Sequence, residues 1–168
     1  MAKVADGLKL RSEWIIDRFE GNVTMQDIES GKAKSIKTTR TEGNLGLNEG
    51  IQLLEDLLIG AGGTVFNNAN AYLGVGDSDT EESATQTGLQ ASTNKLYKGM
   101  EAGYPSRSSQ TVSWRSLYGT TEANFAWKEF TVANGNSDSA VNLNRKVSDQ
   151  GTKPDTQAWM LTLQVTVS

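Results

Sequence analysis

Residues Trp159–Val167 read WMLTLQVTV. Trp159, Leu161, Leu163, Val165 and Val167 alternate with Met160, Thr162, Gln164 and Thr166. That period of two marks a β-strand with one face in a core and the other polar. Working back along the chain, Ser148–Gln157 holds Gly151 and Pro154 and reads as a turn, and Val141–Val147 as a strand. Asn134–Ser139 (NGNSDS) is a hairpin signal. Glu122–Ala133 sets Ala123, Phe125 and Trp127 on one face and Ala126, Phe130 and Val132 on the other, as in a central strand. Thr111–Tyr118 places Val112, Trp114 and Tyr118 on one side. Glu101–Gln110 turns at Gly103 and Pro105, Leu96–Met100 is a short strand, and Ser83–Asn94 is loop or weak helix. Ala71, Leu73 and Val75 alternate with Tyr72 and Gly74.

Period 3.6 dominates one segment, Leu47–Ile59. Leu47, Ile51, Leu54 and Leu58 share a face, widened by Leu53 and Leu57. Asn48 suits the N-cap and Glu49 the positive end of the helix dipole; Gly60, Gly62 and Gly63 then stop the helix. The breadth of the stripe predicts a helix well buried against a sheet or another subunit. Upstream, Glu13–Glu20 (EWIIDRFE) fits neither period, because Trp14, Ile15 and Phe19 fall at i, i+1 and i+5. Asn22–Thr41 is polar and charged, with little apolar area to offset its ordering. The expected fold is mainly β: a β-sandwich or jelly-roll-like domain over residues 44–168, with one amphipathic helix at 48–59. Residues 1–43 are expected to form an extended N-terminal arm.

The chain has 168 residues, enough for one ordinary domain. Ser, Thr, Asn and Gln supply 52 of them and Gly 17, a balance that favours strands and turns. Cys and His are both absent, which excludes disulfides, thiolate zinc sites, Cys nucleophiles and Ser-His-Asp triads. The net charge of −4 argues against nucleic acid as a partner. No apolar run approaches the ~20 residues that span a bilayer, so no membrane is expected either. MAKVADGLKLRSEW lacks the apolar core of a secretion signal, and a cytosolic, soluble chain is expected. Charge is uneven: residues 1–40 carry +2 and residues 41–168 carry −6, with no Lys or Arg between Arg40 and Lys95. One end of the molecule could therefore attract the opposite end of another copy.

Candidate sites are few. Asp77–Glu82 (DSDTEE) offers oxygens for Ca²⁺, but Glu82 and Gly88 stand where an EF-hand requires Gly and Glu. Gly60–Thr64 lacks the Lys of a phosphate-binding loop. Asn22-Val23-Thr24 matches the glycosylation triplet by chance. Glu55/Asp56 and Glu122/Glu129 are carboxylate pairs of the kind a glycosidase uses, yet Glu55 and Asp56 are adjacent on a helix and point in different directions, and nothing ties Glu122 to Glu129. No catalytic residue, metal site or cofactor is therefore expected. Trp114, Trp127 and Trp159 lie on alternating segments and read as core. Trp14 stands in the arm and, with Ile15, Ile16 and Phe19, reads as a partner-docking anchor.

Several segments resemble small virion structural proteins of tailed bacteriophages: Asn70–Asp79 (NAYLGVGDSD), Thr87–Pro105 (TGLQASTNKLYKGMEAGYP), Thr111–Ala133 (TVSWRSLYGTTEANFAWKEFTVA) and Asn142–Lys146 (NLNRK). Residues 1–40 and Asn44–Gly63 (NLGLNEG, then DLLIGAGG) are similar too. The resemblance implies a non-enzymatic capsid decoration (cement) protein that binds and stabilises the phage head shell. Its implied partners are the major capsid protein and copies of itself, as dimer or trimer, in a virion assembled in the host cytoplasm. A tail or fibre component is the alternative, and a carboxylate-based hydrolase a third reading. No functional residue transfers with the resemblance, which lies in strand and turn residues.

Overall fold

A computed structural model describes residues 7–168. In chain order the strands are β1 (Leu10–Glu20), β2 (Lys37–Glu42), β3 (Leu45–Gly46), β4 (Tyr72–Gly76), β5 (Lys95–Gly99), β6 (Ser106–Ser108), β7 (Thr111–Tyr118), β8 (Glu129–Ala133), β9 (Asn144–Val147) and β10 (Gln157–Val167). Helix α1 (Met25–Glu29) joins β1 to β2, and α2 (Asn48–Ile59) follows β3. The strands form two five-stranded antiparallel sheets, ordered β2-β1-β10-β7-β6 and β3-β9-β8-β4-β5. They pack face to face as a β-sandwich.

The first sheet is built on β10. Its apolar face, Trp159, Leu161 and Leu163, faces the core as the alternation predicts, with Val165 packed beside it. β10 pairs along its whole length with β1, from Leu10 opposite Val167 to Glu20 opposite Gln157. The second sheet contributes Leu73 and Val75 from β4 and Phe130 and Val132 from β8. Trp127 sits at the centre, edge-on to Tyr118 at 4.8 Å and to Trp159 at 4.9 Å. Such edge-to-face pairs add to simple burial. Tyr118 Oη donates to the Leu73 carbonyl at 2.7 Å, so one buried phenol fastens the two sheets together.

The N-terminal arm is corrected: β1 and β2 are sheet strands, and β1 lies inside the first sheet between β2 and β10. Residues 1–6 of the expected arm lie outside the described residues. The docking assignment of Trp14, Ile15, Ile16 and Phe19 is corrected with it. Trp14 and Ile16 are 1% and 2% exposed and belong to the inter-sheet core. Ile15 and Phe19 lie on the other face of β1 and are buried as well. A strand covered on both faces shows no one-sided period, which is why EWIIDRFE matched neither template.

Two boundaries also shift. The expected strand over Glu122–Ala133 is regular only from Glu129, because Ala123 takes φ 50° and turns the chain. That turn places Trp127 on the same core as Phe130, 6.2 Å between ring centroids. α2 ends as expected on Gly60 in the left-handed conformation, but its N-cap is Leu47, with no side-chain bond, and Asn48 is the first helical residue.

Candidate functional site

The burial expected of α2 is realised on one side only. Gly50 lies flat against the chain before β9: a Cβ there would stand 2.4 Å from Leu143 Cα. Glu49 Oε1 accepts from the Asn142 amide at 2.8 Å, and Leu47 and Leu53 fill the space beneath. The helix is thereby fastened along the flank that carries Gly50 and Leu53. Its other flank faces solvent, with Ile51 46%, Leu54 39%, Leu58 86% and Ile59 77% exposed. Together these amount to about two and a half whole aliphatic side chains, worth roughly 4–7 kcal/mol if covered. Monomeric surfaces rarely keep so much contiguous apolar area without a use.

Beside the helix, the end of the sandwich stays open. A groove of about 440 Å³ is lined by Ile51 and Leu54 of α2 and by Leu10, Val112, Val165 and Val167 from the starts of β1 and β7 and the end of β10. Asn144 also borders it, with an amide Nδ2 that is buried and has no partner. An adjoining polar hollow of about 580 Å³ is bordered by Arg11, Glu13, Glu42 and Asn44. A largely apolar cleft with a few polar groups has the character of a binding surface.

A second constellation lies on the outer face of the second sheet. Glu129 and Arg145 are both fully buried, with Arg145 Nε donating to Glu129 Oε2 at 2.7 Å. The same carboxylate accepts from the amides of Gln90 and Ala91 at 2.9 and 2.7 Å. Arg145 Nη1 donates to the Thr80 carbonyl and to Gln86 Oε1. The network pins the long β4–β5 connection over the sheet. Room for it comes from Gly76, where a Cβ would meet Glu129 Oε1 at 2.4 Å. Next to it Tyr97 Oη donates to Asp138 at 2.6 Å; burial first, and that carboxylate second, push the phenol well above its ordinary value. Every charged oxygen here is engaged by the protein's own donors, so the cluster acts as a structural lock.

The other sequence candidates are dispersed. Asp77 accepts from Asn94, Asp79 faces Lys128, and Glu82 accepts from the Val147 amide, so three of the four DSDTEE carboxylates face three different neighbours. Among the described residues, no group of three or more Asp or Glu is placed to hold a metal ion. Glu122 and Glu129 belong to separate networks. Burial pushes the Glu122 carboxyl up, but the ion pair with Lys98 and the Gly119 amide outweigh it, and the group lies below its ordinary value. A general acid needs the opposite shift. Glu55 and Asp56 stand exposed on α2 and point in different directions, as adjacent helical residues do. Trp114, Trp127 and Trp159 are core, as expected. No helix among the described residues is long and apolar enough to cross a membrane.

Sequence reasoning missed the open flank of α2 and the Glu129–Arg145 pair. The pair had a signal: Glu129 interrupts an apolar strand that reads as buried on both faces. No protein-family model, curated protein or solved structure matches this chain.

Proposed function

We propose that this chain is a non-enzymatic structural protein that works by adhering in many copies to a larger assembly. In the form its sequence resemblance implies, it is a decoration (cement) protein of a phage head, with the major capsid protein as its partner. The observation that carries this reading is the apolar flank of α2 and the groove beside it, on a sandwich locked by a buried ion pair. Adhesion needs a rigid body and a surface that gains by being covered, and both are present. The docking surface is thereby assigned to α2 in place of Trp14 and its neighbours. Weak contacts suffice for such a role, because many copies on one lattice multiply them.

The test is reconstitution. Purified protein added to bare, expanded heads is expected to bind at hundreds of copies and to raise their melting temperature. Leu58→Asp, a change at a side chain 86% exposed, is expected to abolish binding while leaving the fold intact. No binding to shells, or binding unaffected by Leu58→Asp, refutes the reading. A copy number of tens or fewer in purified virions assigns the protein to the tail.

A further inference from the structure

We infer that Lys153 and Asn124 form an intramolecular isopeptide bond, the lysine amine replacing the nitrogen of the asparagine carboxamide. Lys153 is the one fully buried lysine among the described residues. The other interior cations are each compensated: Arg145 lies 2.7 Å from Glu129, and Arg18 lies 4.3 Å from the centre of the Trp159 ring. Lys153 has no carboxylate within 4 Å of Nζ among the described residues. Its partners are two neutral oxygens, Asn124 Oδ1 at 2.8 Å and the Pro154 carbonyl at 3.5 Å. A buried ammonium without a counter-ion is costly, and burial favours the neutral amine. A neutral lysine amine is a nucleophile, and here a carboxamide lies against it.

The backbone holds the two groups in place. The Trp127 amide donates to the Gly151 carbonyl at 2.9 Å, the Lys153 amide donates to the Phe125 carbonyl at 3.0 Å, and Ala126 bridges Thr152 in antiparallel sense. Asn124 Nδ2 donates to the Thr120 carbonyl at 2.7 Å, which orients the carboxamide. Cγ lies one C=O bond, about 1.2 Å, behind Oδ1, so Nζ stands within about 4 Å of it, close to the ~3–3.5 Å of a near-attack geometry.

In the reaction the Nζ lone pair adds to Cγ, and the C=O electron pair moves onto Oδ1. Collapse of this adduct re-forms the C=O and breaks the Cγ–Nδ2 bond. One proton passes from Nζ to Nδ2, which leaves as ammonia; nothing is oxidised or reduced. Asn124 is an exposed residue, so water reaches it to carry the proton and remove the ammonia. Glu122 and Asp155 act on Lys153 only through their charge, and Glu122 is itself engaged by Lys98 and the Gly119 amide. With no carboxyl in contact to speed the proton transfer, the bond forms slowly. A freshly purified chain therefore carries and titrates the free amine, and the cross-link accumulates on standing above the amine's value of about 8. The bond joins the chain entering β8 in the second sheet to the chain entering β10 in the first, residues 29 apart. The inference goes beyond the decoration reading and holds whatever scaffold the protein binds.

Intact-mass spectrometry of the denatured full chain, after standing at about pH 9, tests it. The wild type is expected to become lighter by the mass of one ammonia, and protease digestion to yield a branched peptide joining Lys153 to Asn124. Lys153→Met and Asn124→Ala are each expected to keep their full mass. A wild type that keeps its full mass overturns the inference, and that result needs no variant to fold. A digest without the branched peptide overturns it too. So does an ammonia loss that survives in Lys153→Met, which marks a succinimide at another asparagine such as Asn134, the residue before Gly135.

Discussion

Arg145→Met tests the lock on the outer face of the second sheet. The substitution removes the Nε donor at 2.7 Å from Glu129 and the Nη1 donor at 2.8 Å from the Thr80 carbonyl, in a pair with no solvent exposure. Glu129 then keeps only the Gln90 and Ala91 amides and remains a buried charge without a counter-ion. Breaking such a pair from one side costs about 3–5 kcal/mol. With a urea dependence of about 2 kcal/mol per molar, the unfolding midpoint should fall by about 2 M. Tryptophan fluorescence reports the transition, since all four indoles are buried. Removing both charges in Glu129→Gln with Arg145→Met should restore about 2 kcal/mol of that loss, because nothing charged is left stranded. Native-state hydrogen exchange should show the Gln90 and Ala91 amides opening first in the single variant. A single variant that loses less than about 1 kcal/mol, or a double variant less stable than the single, would refute the account.

Deleting residues 1–42 removes β1 and β2 and should leave an unfolded chain by circular dichroism; a folded remnant would restore the arm. Gly50→Ala should destabilise by about 1–3 kcal/mol in spite of alanine's better helix propensity, because its Cβ would press on the Leu143 backbone; thermal unfolding decides, and no change or a gain counts against the close contact. Burial pulls the Lys153 ammonium down to about 8, against the opposing pull of Glu122 and Asp155. The unfolded chain therefore holds the proton that the folded chain has lost between pH 8 and the ordinary lysine value, and stability from this group rises across that window. Between pH 8 and 10 the wild type should gain up to about 2 kcal/mol relative to Lys153→Met, measured by urea unfolding at each pH; a constant difference refutes it.

Much of the fold was legible where one face of an element meets solvent. β10 and β7 show it in their alternation, and α2 in its 3.6 period and its glycine stop. β1 was illegible because it carries large apolar groups on both faces, and a period cannot say that a strand is covered twice. β8 was overextended because a single positive φ at Ala123, compatible with many sequences, redirects the chain. For the candidate site, the apolar stripe of α2 was legible but its use was not. Periodicity reports which residues share a face, whereas Gly50 against Leu143 decides how the helix is rolled, and that contact joins segments about ninety residues apart in sequence.

The pairing of β1 with β10 has a consequence for how the molecule is made. Leu10 finds its partner in Val167, so a strand that leaves the ribosome early must wait for the last one before its edge is satisfied. Until then Trp14, Ile16 and Phe19 stay uncovered on a nascent chain. Long-range closure of this kind slows folding and lengthens exposure to aggregation. Chains cut short by premature termination anywhere before β10 should therefore be sticky, and chaperone-bound or degraded rather than merely weakened.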